Sequence, residues 1–247
     1  MTFLTILVIA LFSFALGYAV WVYAAWRHYG RPRHPSLAAV DLPLDRFMPD
    51  YDVVERHHIT IDAPAAVAFE AACNMDLSRH PVVRAIVGAR QLLLRATPDA
   101  TPRPKGLLAY THSIGWGDLA LIPGREIVLG AVTRPWEANV TFLPLAPDIF
   151  RAFNEPGYVK IAWTLRADTR HDGHCEFWTE TRAVATDAVS RRRFRWYWAR
   201  VSAGIALIRR AMLGPLRLLA ERDAVVTAAR MSWLRDRFVP KTPQRHA

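Results

Sequence analysis

The chain has 247 residues, of which 52% are hydrophobic, so it can bury a sizeable core in one domain with appendages. Lys and Arg number 32 against 22 Asp and Glu, a formal net charge of +10, which favours anionic surroundings such as membrane headgroups or acidic ligands. Zinc-finger and RNP-type signatures are absent, so no nucleic acid is expected as a partner; two cysteines without CxxC or HExxH exclude a disulfide framework and a recognisable metal centre, and no cofactor is expected.

Residues Phe3 to Trp26 contain no charge, which is the length an α-helix needs to cross a bilayer. Trp21, Tyr23 and Trp26 lie near its far end, as interface aromatics do, and Arg27, His28, Arg31, Arg33 and His34 follow at once. The run is too long, and too rich in Trp at its end, for a cleaved signal peptide. The reading is an uncleaved single-pass anchor at 1–26, with the globular domain on the cytoplasmic side by the positive-inside rule. Residues 27–50 form a basic linker in which Pro32, Pro35, Pro43 and Pro49 oppose regular structure.

Asp52 to Ile61 reads as a strand. Pro64 suits the start of a helix whose small apolar face is Val67, Ala68, Ala71 and Ala72. Leu92–Leu94 and Leu107–Ile114 are expected as strands around a Pro-rich loop. Ile127, Leu129 and Ala131 share one face of a further strand, and Val140 with Phe142 resumes one. Leu145 to Gly157 reads as a long connection carrying Phe150 and Phe153. Val159, Ile161, Trp163 and Leu165 alternate with polar neighbours, as do Cys175, Phe177, Thr179, Thr181 and Ala183, with Asp172-Gly173 as the turn between. The period then becomes helical: Val189, Phe194, Tyr197, Trp198, Val201, Ile205, Ile208 and Met212 mark a long amphipathic helix, capped by Thr186 or Asp187. Its pattern falters at Gly214-Pro215. Residues 214–247 then read as a basic amphipathic extension suited to anionic lipid, with a disordered tail from Pro240.

The stretch ITIDAPAAVAFEAACNMD, the strand around Ile127–Val132 and the terminal strand–turn–strand–long helix resemble the SRPBCC superfamily of START-like, polyketide cyclase-like domains over residues 51–213. That resemblance implies an α+β helix-grip fold, a curved antiparallel sheet wrapped around a long C-terminal helix, here with an N-terminal transmembrane helix added. It also implies a cavity between sheet and helix. On this reading the ligand-binding residues are Phe69, Ile127, Leu129, Trp136, Phe142, Phe153, Trp163, Phe177, Tyr197, Val201 and Ile205. The fold alone does not assign a function.

The function expected is a membrane-tethered binding or carrier protein for an apolar or amphipathic molecule, lipid-like or quinone-like. Two alternatives stand beside it: a cyclase- or dehydratase-type enzyme on an apolar substrate, and a surface interaction module with a collapsed core. An enzyme would need at least two polar groups converging in the cavity. His57, His112, Asp118, Glu126, Arg134, Glu180 and Tyr197 are available, but none stands in a catalytic spacing and none is assigned a catalytic role. Glu176, Glu180 and Arg182 read as a solvated face, and Arg191-Arg192-Arg193 opposes the helix macrodipole and so invites an anionic partner.

Overall fold

A computed structural model describes residues 2–32, 40–77, 80–97, 104–170 and 172–238. Helix α1 (Phe3–His28) is apolar up to Arg27, has no fully buried residue, and is long enough to cross a membrane. The short α2 (Leu42–Phe47) follows, then β1 (Val53–Ile61), α3 (Ala65–Asn74), α4 (Pro81–Leu94) and α5 (Leu107–Ser113). Strands β2 (Gly117–Ile122), β3 (Glu126–Thr133) and β4 (Phe142–Leu143), helix α6 (Pro147–Ala152), strands β5 (Val159–Thr169) and β6 (Cys175–Ala185), and the 51-residue α7 (Ala188–Phe238) complete it.

The six strands among the described residues join in one antiparallel sheet of order β1-β6-β5-β3-β2, with β4 paired to β3 beyond the end of β2. The alternation of β3, β5 and β6 resolves in this register into two faces. Ile127, Leu129, Trp163, Leu165 and Phe177 point to an inner face, where α3, α5 and α7 bury them with Phe69, Met212 and Leu216. Val53, Val159 and Ala183 continue that face under Phe194 and Trp198 at the start of α7. This is the helix-grip arrangement. Asp187 starts α7 by accepting from the Val189 and Ser190 amides, a side-chain cap that satisfies donors the helix cannot.

Several local expectations are corrected. Leu92–Leu94, expected as a strand, are instead the last turn of a helix over Pro81–Leu94. Pro81 sits at the first helical position, and Val82, Ile86, Arg90 and Leu94 turn inward at four-residue spacing. Residues 107–113 are helix too, with Leu107 and Thr111 buried one turn apart. The connection before β5 contains α6, whose Phe150 is fully buried on the outer face of the sheet. Helix α7 continues through Pro215. Met212, Leu216 and Ala220 bury one stripe against α3 across that position, and this packing outweighs the roughly 3 kcal/mol that an internal proline costs.

The linker is not extended throughout. Asp41 caps α2 through the Leu44 amide at 2.9 Å, and Leu44, Phe47 and Met48 pack on the outer face of the sheet. The part of the linker at 33–39, the Pro-rich loop at 98–103 and the tail from 239 lie outside the described residues. Beneath the α2 strap, Glu180 and Arg182 are buried rather than solvated. Glu180 takes a bidentate contact from Arg56 at 2.5 and 2.8 Å and a third from Arg182 Nε at 2.6 Å. Arg182 Nη1 donates to Asp45 and to the Met48 carbonyl. The strap thus supplies the acceptors that make these buried charges tolerable.

Candidate functional site

Helix α7 positions everything that resembles a site. Where α4 approaches it, Ile86 faces Gly204, and a Cβ there would lie 2.9 Å from the Ile86 methyl. Beside this crossing is an open cleft of about 510 Å³ lined by Leu93, Leu94, Trp136, Tyr197 and Val201, with Arg193, Trp196 and Arg200 also on its walls. The lining is mainly apolar. Arg90 on α4 donates Nε to the Tyr197 hydroxyl at 3.4 Å, and its Nη2 reaches the Pro135 carbonyl.

Helix α1 docks on α7 close to this cleft. Tyr18 OH donates to the Arg200 carbonyl at 2.9 Å, and Trp21 Nε1 donates to Ser202 Oγ at 3.0 Å. Arg195 bonds the Trp26 carbonyl and stacks 3.7 Å from its ring centroid. The arginines that open α7 therefore have several uses. Arg191 pairs with the buried Asp52 at 2.9 Å, and Asp52 also accepts from Tyr29 OH and the Ala185 amide. A second, more polar cleft of about 540 Å³ lies there, between Tyr29, Tyr51 and Arg192.

The residues expected to line a cavity divide into groups. Trp136, Tyr197 and Val201 line the α4–α7 cleft, and Ile205 packs in the same cluster as Trp136 and Tyr197. Phe69, Ile127, Leu129, Trp163 and Phe177 are close-packed core of the inner face. Phe142 packs with its ring tilted 34° against Trp116, 5.3 Å between centroids, and Trp116 meets Trp163 edge-on at 6.2 Å. Phe153 belongs to the outer face with Tyr158, on the far side of the sheet from α7.

The acid–base candidates scatter likewise. His112 and Asp118 form a pair at the surface. Arg134 lies over the Tyr158 ring. Glu126 and Glu180 are outer-face residues. Burial, then a hydrogen bond and repulsion from Asp41, push the Glu126 carboxyl up to about 8, against Arg166 and Thr164.

A polar cluster on the inner face was not visible as such in the sequence. Glu55 stands opposite Thr181 and His57 opposite Thr179 in the β1–β6 register. His57 Nε2 is buried with no hydrogen bond among the described residues, 3.4 Å from Glu55 Oε2. Trp163 Nε1 donates to Thr179 at 2.8 Å. Arg209 of α7 reaches into the same group and donates to Thr181 at 2.8 Å. The available signal was Arg209 itself, a charge set among Ile205, Ile208 and Met212 on the apolar part of α7. Leu93 and Leu94 carry no such signal, because a run of three leucines suits a strand as well as a helical turn. Among the described residues no group of His, Cys, Asp and Glu could hold a metal ion.

No family model matches the chain, and no curated protein matches it. Among solved structures, a protein from Chromobacterium violaceum is 14% identical, with a TM-score of 0.24, over 65% of this chain and 97% of that one. Ara h 8.0201 is 10% identical, with a TM-score of 0.19, over 62% and 97%. Both scores are low, so the helix-grip assignment rests on the strand register and on the seat of α7.

Proposed function

We propose that this protein is a membrane-tethered binding or carrier protein that holds an apolar or amphipathic small molecule. The α4–α7 cleft carries the reading: a mainly apolar recess of about 510 Å³ beside the docking point of an apolar helix on α7. If α1 crosses the bilayer, its Tyr18–Trp26 end brings the cleft to the membrane surface, and Arg193 and Arg200 face the headgroups. The basic balance of the chain and the exposed Val225, Val226 and Trp233 of α7 fit the same surface. The cytoplasmic side is proposed for the domain from the positive residues after Trp26.

The test is native mass spectrometry of the full chain in amphipol, followed by organic extraction. A reproducible apolar molecule near unit occupancy is expected, and Val201→Trp, which puts an indole into the cleft, should lower occupancy at least tenfold. A chain that is empty and takes up neither a fatty acid nor a quinone when offered would refute the carrier reading. The inner-face cluster of Glu55, His57, Thr179 and Arg209 favours one second reading, an enzyme acting on an apolar substrate. Turnover lost in His57→Gln with ligand uptake intact would support it.

A further inference from the structure

Arg209 is a cation that the fold leaves short of partners. It projects from α7 over the inner face, with its guanidinium carbon 4.4 Å from the centroid of the Trp163 ring. Its one hydrogen bond among the described residues is to Thr181 Oγ1. A guanidinium offers five N–H donors in a planar fork, shaped for the two oxygens of an acid group. No ion pair forms between it and a described carboxylate; Glu55 acts on it from further away. The residue is half-buried. A cation taken out of water without a paired anion costs stability, and an apolar side chain of similar size usually costs less. Arginine at this position therefore calls for a use outside the fold.

We infer that Arg209, stacked on Trp163 and held by Thr181, receives the acidic head of an amphipathic ligand, a carboxylate carried on an apolar tail. This rests on the carrier reading and adds the chemical class of the ligand. The placement suits such a molecule. Val201, in the apolar cleft, and Arg209 lie eight residues apart on one helix, on the order of 12 Å along its axis. Ile205 and Ile208, both half-buried, occupy the interval. A tail in the cleft and a head at Arg209 would thus be read by one continuous element.

The experiment compares dodecanoic acid with 1-dodecanol, binding to the full chain in amphipol by calorimetry, with acetate and inorganic phosphate as anions lacking a tail. The wild type is expected to bind the acid at least tenfold more tightly than the alcohol, and the tail-less anions at millimolar concentration should not displace it. Arg209→Met should abolish the preference, keep the affinity for the alcohol, and melt no lower than the wild type, which a purely structural arginine would not allow. Arg209→Lys and Thr181→Val should narrow the preference, and they decide the matter if the methionine variant does not fold. Equal affinity of the wild type for acid and alcohol, or a preference that survives these substitutions, overturns the inference while leaving the carrier reading in place. Displacement by phosphate alone also overturns it, because the site would then be a simple anion site. Uptake of neither amphiphile overturns both readings.

Discussion

Glu126→Gln separates charge from shape in the outer-face network. Glu126 is 1% exposed, accepts a bond from Thr164 Oγ1 at 3.3 Å, and is hydrogen-bonded to Asp41 at the start of the α2 strap. Burial and the neighbouring Asp41 raise its carboxyl from 4.5 to about 8 in the folded protein. Between those two values the folded chain holds a proton that the unfolded chain has released. The unfolded state thus binds fewer protons, and stability must fall as pH rises through the window. The slope is at most about 1.4 kcal/mol per pH unit, and the whole window is worth on the order of 5 kcal/mol. Glutamine keeps the shape, donates to Asp41 and never ionises. Urea unfolding of the full chain in mild detergent, followed by tryptophan fluorescence at pH 5.5, 7 and 8.5, reads the effect. The wild-type midpoint should fall steadily, and that of Glu126→Gln should change far less. The variant should then be the more stable protein at pH 8.5. Because Asp41 belongs to the strap, trypsin cleavage at Arg46 should also accelerate at pH 8.5 in the wild type alone. Parallel midpoints for the two proteins across this range would refute the reasoning.

The buried ion network predicts an asymmetry between its members. Arg182→Met leaves Glu180 with one partner fewer beneath the strap and should cost about 3 kcal/mol, whereas Asp45→Asn, at a partly exposed rim position, should cost under ~1 kcal/mol in the same urea assay. Gly115 has φ 100°, and a Cβ there would collide with the Phe142 carbonyl oxygen, so Gly115→Ala should lower stability by about 2–3 kcal/mol, seen as a lower melting temperature. At the α4–α7 crossing, Gly204→Val should push α4 outward and weaken ligand uptake several-fold in native mass spectrometry, with little change in melting temperature. Unchanged uptake would mean that α4 is not a functional wall of the cleft.

Much of this architecture was legible in the order of residues. The uncharged run from Phe3 to Trp26 is a long apolar helix because nothing in it opposes one. The alternation at Val159–Leu165 and Cys175–Ala183 set which side chains share a face, since a strand turns successive residues to opposite sides. The change to a helical period after Asp187 marked α7. Short segments were harder. Leu92–Leu94 and Leu107–Ile114 are apolar enough for strand or helix, and length and neighbours decide between them. Pro215 shows the converse, a strong local signal overridden by burial of Met212, Leu216 and Ala220.

Tertiary structure alone decided which face each long-range partner covers. Glu180 and Arg182 look solvated in one strand, because nothing in that strand reveals that residues 40–48 return to cover them. Phe153 is as aromatic as Trp136, yet one lies outside the sheet and the other beside the α4–α7 cleft. Glu55 and His57 come from β1, more than a hundred residues before Thr181 of β6 and Arg209 of α7. Local propensity acts over a few residues, so it specifies elements and faces; which faces meet, and which charges are thereby taken out of water, is settled only when α7 covers one face of the sheet and residues 40–48 the other.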